Sequence, residues 1–215
     1  MASRAIKIAS GILVTLILGA VALLVLAPKA TNTDNLVPVR DQSKLVSAHS
    51  HKEGDGPVQV VEFGDFQCPA CAAAYPAVQQ LLQTDKPDIT FYFRNYPLTQ
   101  IHPNASEAAE AAEAAGAQGE YWQMHDKLYE NASRWRDLKS PTSTFVSYAR
   151  SLGLSAPTFE HALQSQQYQG VIAGDIADGN ALGVDATPTF FIGGKMYTGN
   201  FDFVSLNRAI QIQLK

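Results

Sequence analysis

Cys68 and Cys71 are the only cysteines in 215 residues, and they stand three apart in Cys68-Pro69-Ala70-Cys71. That spacing serves two chemistries: a reversible disulfide closed within one helical turn, or half of a zinc site. Zinc needs two further Cys or His ligands. The chain has no third cysteine, and His102, His125 and His161 show no ligand spacing. A redox pair is therefore favoured and no metal is expected, although C-x-x-C alone leaves both readings open. Two cysteines are too few for a disulfide-stapled scaffold.

The flanking residues must position this pair. Val58-Gln59-Val60-Val61-Glu62-Phe63 is a β-branched and aromatic run that reads as a buried strand, broken by Gly64 and Asp65. Pro69 suits the first position of a helix, where a missing N–H costs nothing. Cys68 then occupies the N-cap, with free backbone N–H groups and the positive end of the helix dipole facing its sulfur. Val78, Leu81 and Leu82 continue a helical period, and Pro76 should kink it. A strand before and a helix after are the setting in which C-x-x-C becomes a thioredoxin-like motif.

Further along, residues 89–93 (ITFYF) predict a second strand, and the following 85 or so residues predict helices. Asn104 with Glu107 resembles a capping box, Gly153 a helix C′ residue, and Ser155 and Asp202 N-caps. His125 and His161 fall on these helices, where packing or surface roles are expected. Thr189–Ile192 and Lys195–Tyr197 flank Gly193-Gly194, a two-residue hairpin signal. Thr187-Pro188 stands just before that hairpin.

The chain carries a formal net charge of −4. Its first 30 residues hold Arg4, Lys7 and Lys29 and no acid, which leaves 13 basic against 20 acidic residues in the rest. So acidic a body is a poor match to nucleic-acid phosphates. From Ile8 to Ala27 no residue is charged. These 20 residues equal a bilayer span and exceed a signal h-region, so a transmembrane anchor is favoured over a cleaved signal. Pro28 just after the nearest cleavage position also disfavours cutting. Arg4 and Lys7 ahead of the run place residues 1–7 in the cytoplasm and the remainder outside. Residues 28–56 are polar and aperiodic and read as a tether, in which His49 and His51 are expected to be solvated. The ordered domain is expected to span 57–215.

The combined pattern resembles the DsbA family of thioredoxin-fold proteins, and is most similar to membrane-tethered bacterial thiol–disulfide oxidoreductases. The residues that carry it are VVEFGDFQCPAC (60–71), AAEAAGAQGEYWQMHDKLYE (111–130) and LGVDATPTFFIGGKMYTG (182–199). The resemblance implies an α/β thioredoxin fold with a helical insertion at about 98–183, behind the N-terminal transmembrane helix. It implies that Cys68 is the exposed nucleophile and Cys71 the buried resolving cysteine. Pro188 would be the cis-proline facing the disulfide, and Thr187 would offer backbone hydrogen bonds to a bound peptide. A strand glutamate ordinarily faces solvent, but the resemblance puts Glu62 beneath the site, moving protons to and from Cys71. The best-known oxidase has Pro-His between its cysteines where this chain has Pro-Ala, so one source of thiolate stabilisation is missing.

The function so implied is an oxidase that introduces disulfides into exported proteins, held on the outer face of the cell membrane by one span. Its substrates would be reduced exported proteins. Its recycling partner would be a quinone-linked membrane protein of the DsbB-like or VKOR-like kind, and no cofactor is implied. Two alternatives stand beside it: a reductase or isomerase on the same fold, and a non-enzymatic binding domain with a structural cysteine pair.

Overall fold

A computed structural model describes residues 35–85 and 88–215. The expected anchor at 8–27 and the first part of the expected tether lie outside the described residues. Among those described, no helix is long and apolar enough to cross a membrane.

The four inner strands form where the strand-like runs predict them, and two edge strands are added to them. Strands β1 (Leu36–Pro38), β2 (His51–Glu53), β3 (Val58–Gly64), β4 (Ile89–Asn95), β5 (Thr189–Ile192) and β6 (Lys195–Tyr197) make one sheet in the order β1-β6-β5-β3-β4-β2. The central pair β3–β4 is parallel and the other pairings are antiparallel. Gly193 and Gly194 have φ of +57° and +76°, as a two-residue turn between β5 and β6 requires.

The helices are α1 (Pro69–Thr84), α2 (Ala105–Gly116), α3 (Tyr121–Glu130), α4 (Ala132–Trp135), α5 (Thr142–Ser151), α6 (Ala156–Ser165), α7 (Gln169–Leu182) and α8 (Phe203–Gln213). Side chains alternate across a strand, and both faces of the sheet are covered. Val60, Phe91, Phe93, Phe190 and Ile192 join a large core with α1, α8 and the helices of the insertion. Val61, Phe63 and Phe191 join a smaller one with Tyr96, Leu182 and Val184. This alternation decides the place of Glu62. It pairs in register with Phe93 and Phe190, so it shares the α1 face and is only 3% exposed.

The tether reading fails for residues 35–56. They belong to the compact unit Asp34–Lys215 and supply both edge strands of the sheet, with Leu36 and Leu45 buried. Backbone pairing and single buried side chains hold this arm, so it carries no apolar period to read. Arg94, with no exposed surface, donates to the carbonyls of Lys44 and Leu45 and pairs with Asp175 at 2.6 Å and Asp178 at 2.9 Å. His51 is not simply solvated either. It lies 2.9 Å from Glu113 and stacks on Tyr121 at 3.5 Å between ring centroids.

The capping box at Asn104 does not form. The Asn104 side chain donates instead to the carbonyls of Trp135, Arg136 and Leu138, and Glu107 accepts from the Thr142 hydroxyl. Asp202 does cap α8, through Ser205 N at 2.9 Å.

Candidate active site

The site is assembled at the junction of β3 and α1. Gly64 ends the strand, Asp65 turns the chain, and Pro69 opens α1 with Cys68 as its N-cap in extended conformation. The N-cap side chain makes no capping bond of its own, which leaves the sulfur facing the N–H groups of the first turn. Cys71 lies one turn in. Both cysteines are free thiols here.

Their surroundings differ. Cys71 has no exposed surface, and Asp65 N donates to its sulfur at 3.5 Å. Cys68 is the more accessible, but only 6% exposed, so it is recessed rather than exposed as expected. Its thiol donates to the Thr187 carbonyl at 3.3 Å. The hydrogen bond from the Cys71 thiol does most to lower Cys68. Against the opposing effect of burial, and helped by the Thr187 side chain and the backbone N–H groups of Cys71 and Ala70, it brings Cys68 down to about 5. Cys71 moves the other way. Burial raises it first, then its hydrogen bond to Cys68 and the nearby Glu62. One thiol is thus prepared to ionise and its neighbour to hold a proton.

Glu62 lies on the same side of the sheet. Burial, and then the charge at Cys68, push its carboxyl up to about 8. The Thr187-Pro188 peptide is cis. Thr187 is buried, and among the described residues its hydroxyl has no hydrogen-bond partner while Cys68 is a thiol. All five expected site residues therefore come together: Cys68, Cys71, Glu62, Thr187 and Pro188. Among the described residues no group of three or more potential ligands could hold a metal ion.

Sequence reading missed the residues that fix the loop in place. Gln67, nearly buried, donates to the Arg136 carbonyl at 2.6 Å and accepts from Asn104 N at 2.7 Å. Asp65 receives Gln67 N at 2.8 Å, Leu98 N at 2.9 Å and His102 Nδ1 at 2.6 Å. Asp65 was read only as a strand breaker. A carboxylate three residues before the first cysteine of the pair was itself a signal, because a buried negative charge needs local partners.

Comparison with known proteins agrees with this architecture. Residues 53–212 match the family model described as Thioredoxin. The chain is 40% identical to the Na(+)/H(+) antiporter NhaA 1 of Salinispora arenicola over 75% of its own length and 24% of that protein's. It therefore spans about a quarter of the length of the antiporter relatives. It is 27% identical to the probable disulfide bond formation protein D of Bacillus cereus, over 98% of this chain and 96% of that one. Among solved structures, oxidised BdbD from Bacillus subtilis superposes with a TM-score of 0.71 at 23% identity, covering 83% of this chain and 97% of that one. With its strand–C-x-x-C–helix junction, its cis-proline loop and a family model that covers most of its length, the chain belongs to the thioredoxin family.

Proposed function

We propose that this chain is a thiol–disulfide oxidoreductase that works outside the cytoplasm and passes the Cys68–Cys71 disulfide to reduced exported proteins. The observation that carries this reading is the opposite displacement of the two thiols. A thiolate stabilised at Cys68 favours the dithiol form, which makes the disulfide form an oxidant, and makes Cys68 the better leaving group.

In the oxidising direction a client thiolate attacks Cys68 Sγ. The Cys68–Cys71 bond breaks and its electron pair goes to Cys71, which takes up the proton of Glu62. A second client thiolate then attacks the client sulfur of the mixed disulfide, and Cys68 leaves as a thiolate. The client loses two electrons and the enzyme gains them. Thr187 and Pro188 border Cys68 where the client backbone would lie. The Bacillus cereus relative, a probable disulfide bond formation protein, supports this direction.

An outer-face location held by residues 8–27 is supported by Arg4 and Lys7 ahead of a 20-residue uncharged run. Reoxidation then falls to a quinone-linked membrane partner, since each turnover leaves a dithiol.

The test is a transfer assay. Full-length protein prepared as the disulfide is mixed with a reduced, unfolded two-cysteine protein and analysed by mass spectrometry. The expected result is one client disulfide per equivalent and none from Cys68→Ser, which cannot form the Cys68–Cys71 disulfide; Cys71→Ser loaded at Cys68 with a thionitrobenzoate group should release that group to a single-cysteine client and keep the client as a mixed disulfide. Absence of transfer, or transfer that survives Cys68→Ser, would overturn the reading.

A further inference from the structure

Asp65 links the redox pair to a histidine that the mechanism above does not use. Its backbone N–H points at Cys71 Sγ, while its carboxylate, with no exposed surface, meets His102 Nδ1 at 2.6 Å. That carboxylate already accepts from Gln67 N and Leu98 N. An acceptor of this kind has no proton to offer the ring, so Nδ1 carries the hydrogen, which leaves Nε2 as the nitrogen that can accept a proton. A buried carboxylate orienting a histidine is the usual device for aiming a base.

The imidazole shares a cleft with the residues on either side of Cys68. Its side chain is 15% exposed and lines a cleft of about 490 Å³ together with Gln67 and Pro69, the two neighbours of Cys68 in sequence. Ile101 and Leu138, both exposed, form apolar walls. The charged groups that face the ring are Asp65 from the β3–α1 loop, and Arg136 and Asp137 from the loop after α4.

We propose that His102, oriented by Asp65, is the base that takes the proton from a client thiol as it attacks the Cys68–Cys71 disulfide. This rests on the oxidase reading above. The client S–H proton passes to Nε2, and the client thiolate forms a bond to Cys68 Sγ. The Cys68–Cys71 bond breaks, and its electron pair leaves on Cys71, protonated from Glu62. His102 then returns its proton to solvent.

The size of the benefit follows from client chemistry. A free cysteine with a pKa of about 8.5 is only ~3% ionised at pH 7, so a local base gains at most roughly thirtyfold. The Pro-Ala dipeptide supplies no imidazole between the cysteines. His102 brings one to the cleft beside Pro69 from the segment after β4.

The test uses the full chain in its disulfide form and two thiol probes: a single-cysteine peptide, and an acidic aryl thiol that is fully ionised from pH 6 to 9. Rates of mixed-disulfide formation are read by rapid quench and mass spectrometry. His102→Gln is expected to slow the peptide about tenfold at pH 7. That loss should vanish by about pH 9.5, and the aryl thiol should react within twofold of wild type. His102→Ala should recover with added imidazole towards the peptide only. A wild-type disulfide that reacts with neither thiol overturns the oxidase reading and this proposal with it. A reactive wild type overturns this proposal alone if the variants are unchanged or lose equally with both thiols.

Discussion

Glu62 and Cys68 stand against each other at the centre of the molecule, one pushed up to about 8 and the other down to about 5. Between its ordinary value of 4.5 and about 8, the folded protein holds a proton on Glu62 that the unfolded chain has released. The stability from that proton is complete below about 4.5 and is lost as pH rises through 8. Glu62→Gln removes the titration while keeping the shape. Urea unfolding of the reduced protein should therefore show the variant equal to wild type near pH 4 and more stable at pH 9. The same substitution should slow disulfide exchange about tenfold at pH 7, because Cys71 loses its local proton donor. Equal stabilities at both pH values with unchanged exchange would mean that Glu62 is only a space-filling group. Five residues of this site were legible in the sequence because each belongs to a short local motif. Asp65, Gln67 and His102 were not, since their roles depend on contacts with residues 33 to 69 positions away that no periodicity reports.

At the scale of elements, the strand–loop–helix unit 58–84 and the hairpin 189–197 form where alternation, a first-turn proline and a Gly-Gly turn predicted them. The arm 35–56 was misread because two three-residue edge strands hold through backbone hydrogen bonds, which leave no hydrophobic pattern. Those strands close both edges of the sheet, and Arg94 depends on the carbonyls of Lys44 and Leu45 for two of its bonds. Removing the arm leaves a buried guanidinium short of partners and uncovers the edges beside Phe91, Phe93 and Tyr197. A fragment of residues 57–215 should melt at least about 10 °C below one of residues 35–215, since several kcal/mol are lost and each shifts Tm by roughly 2–4 °C in a domain of this size. Equal melting temperatures by calorimetry would return the arm to the status of a tether.

For the whole molecule, the fold keeps Cys71 and Glu62 dry and leaves Cys68 slightly exposed against the Thr187 carbonyl of the cis-proline loop. Burial thus raises two groups, and hydrogen bonds lower the third. Their joint consequence is a single number, the reduction potential of the Cys68–Cys71 couple. Thioredoxin, with a nucleophile pKa of about 7, lies near −270 mV, and DsbA, at about 3.5, near −120 mV. A Cys68 near 5 falls between them, at roughly −200 mV on the same relation. The measurement is a redox titration of the full chain against glutathione buffers, with the fraction of disulfide read after acid quench and alkylation. A potential near −200 mV is the result predicted, and it would be accompanied by Cys68 alkylation that titrates near pH 5. A potential at or below −270 mV would contradict the account, because the Cys68 thiolate would then stabilise the dithiol form no better than in thioredoxin.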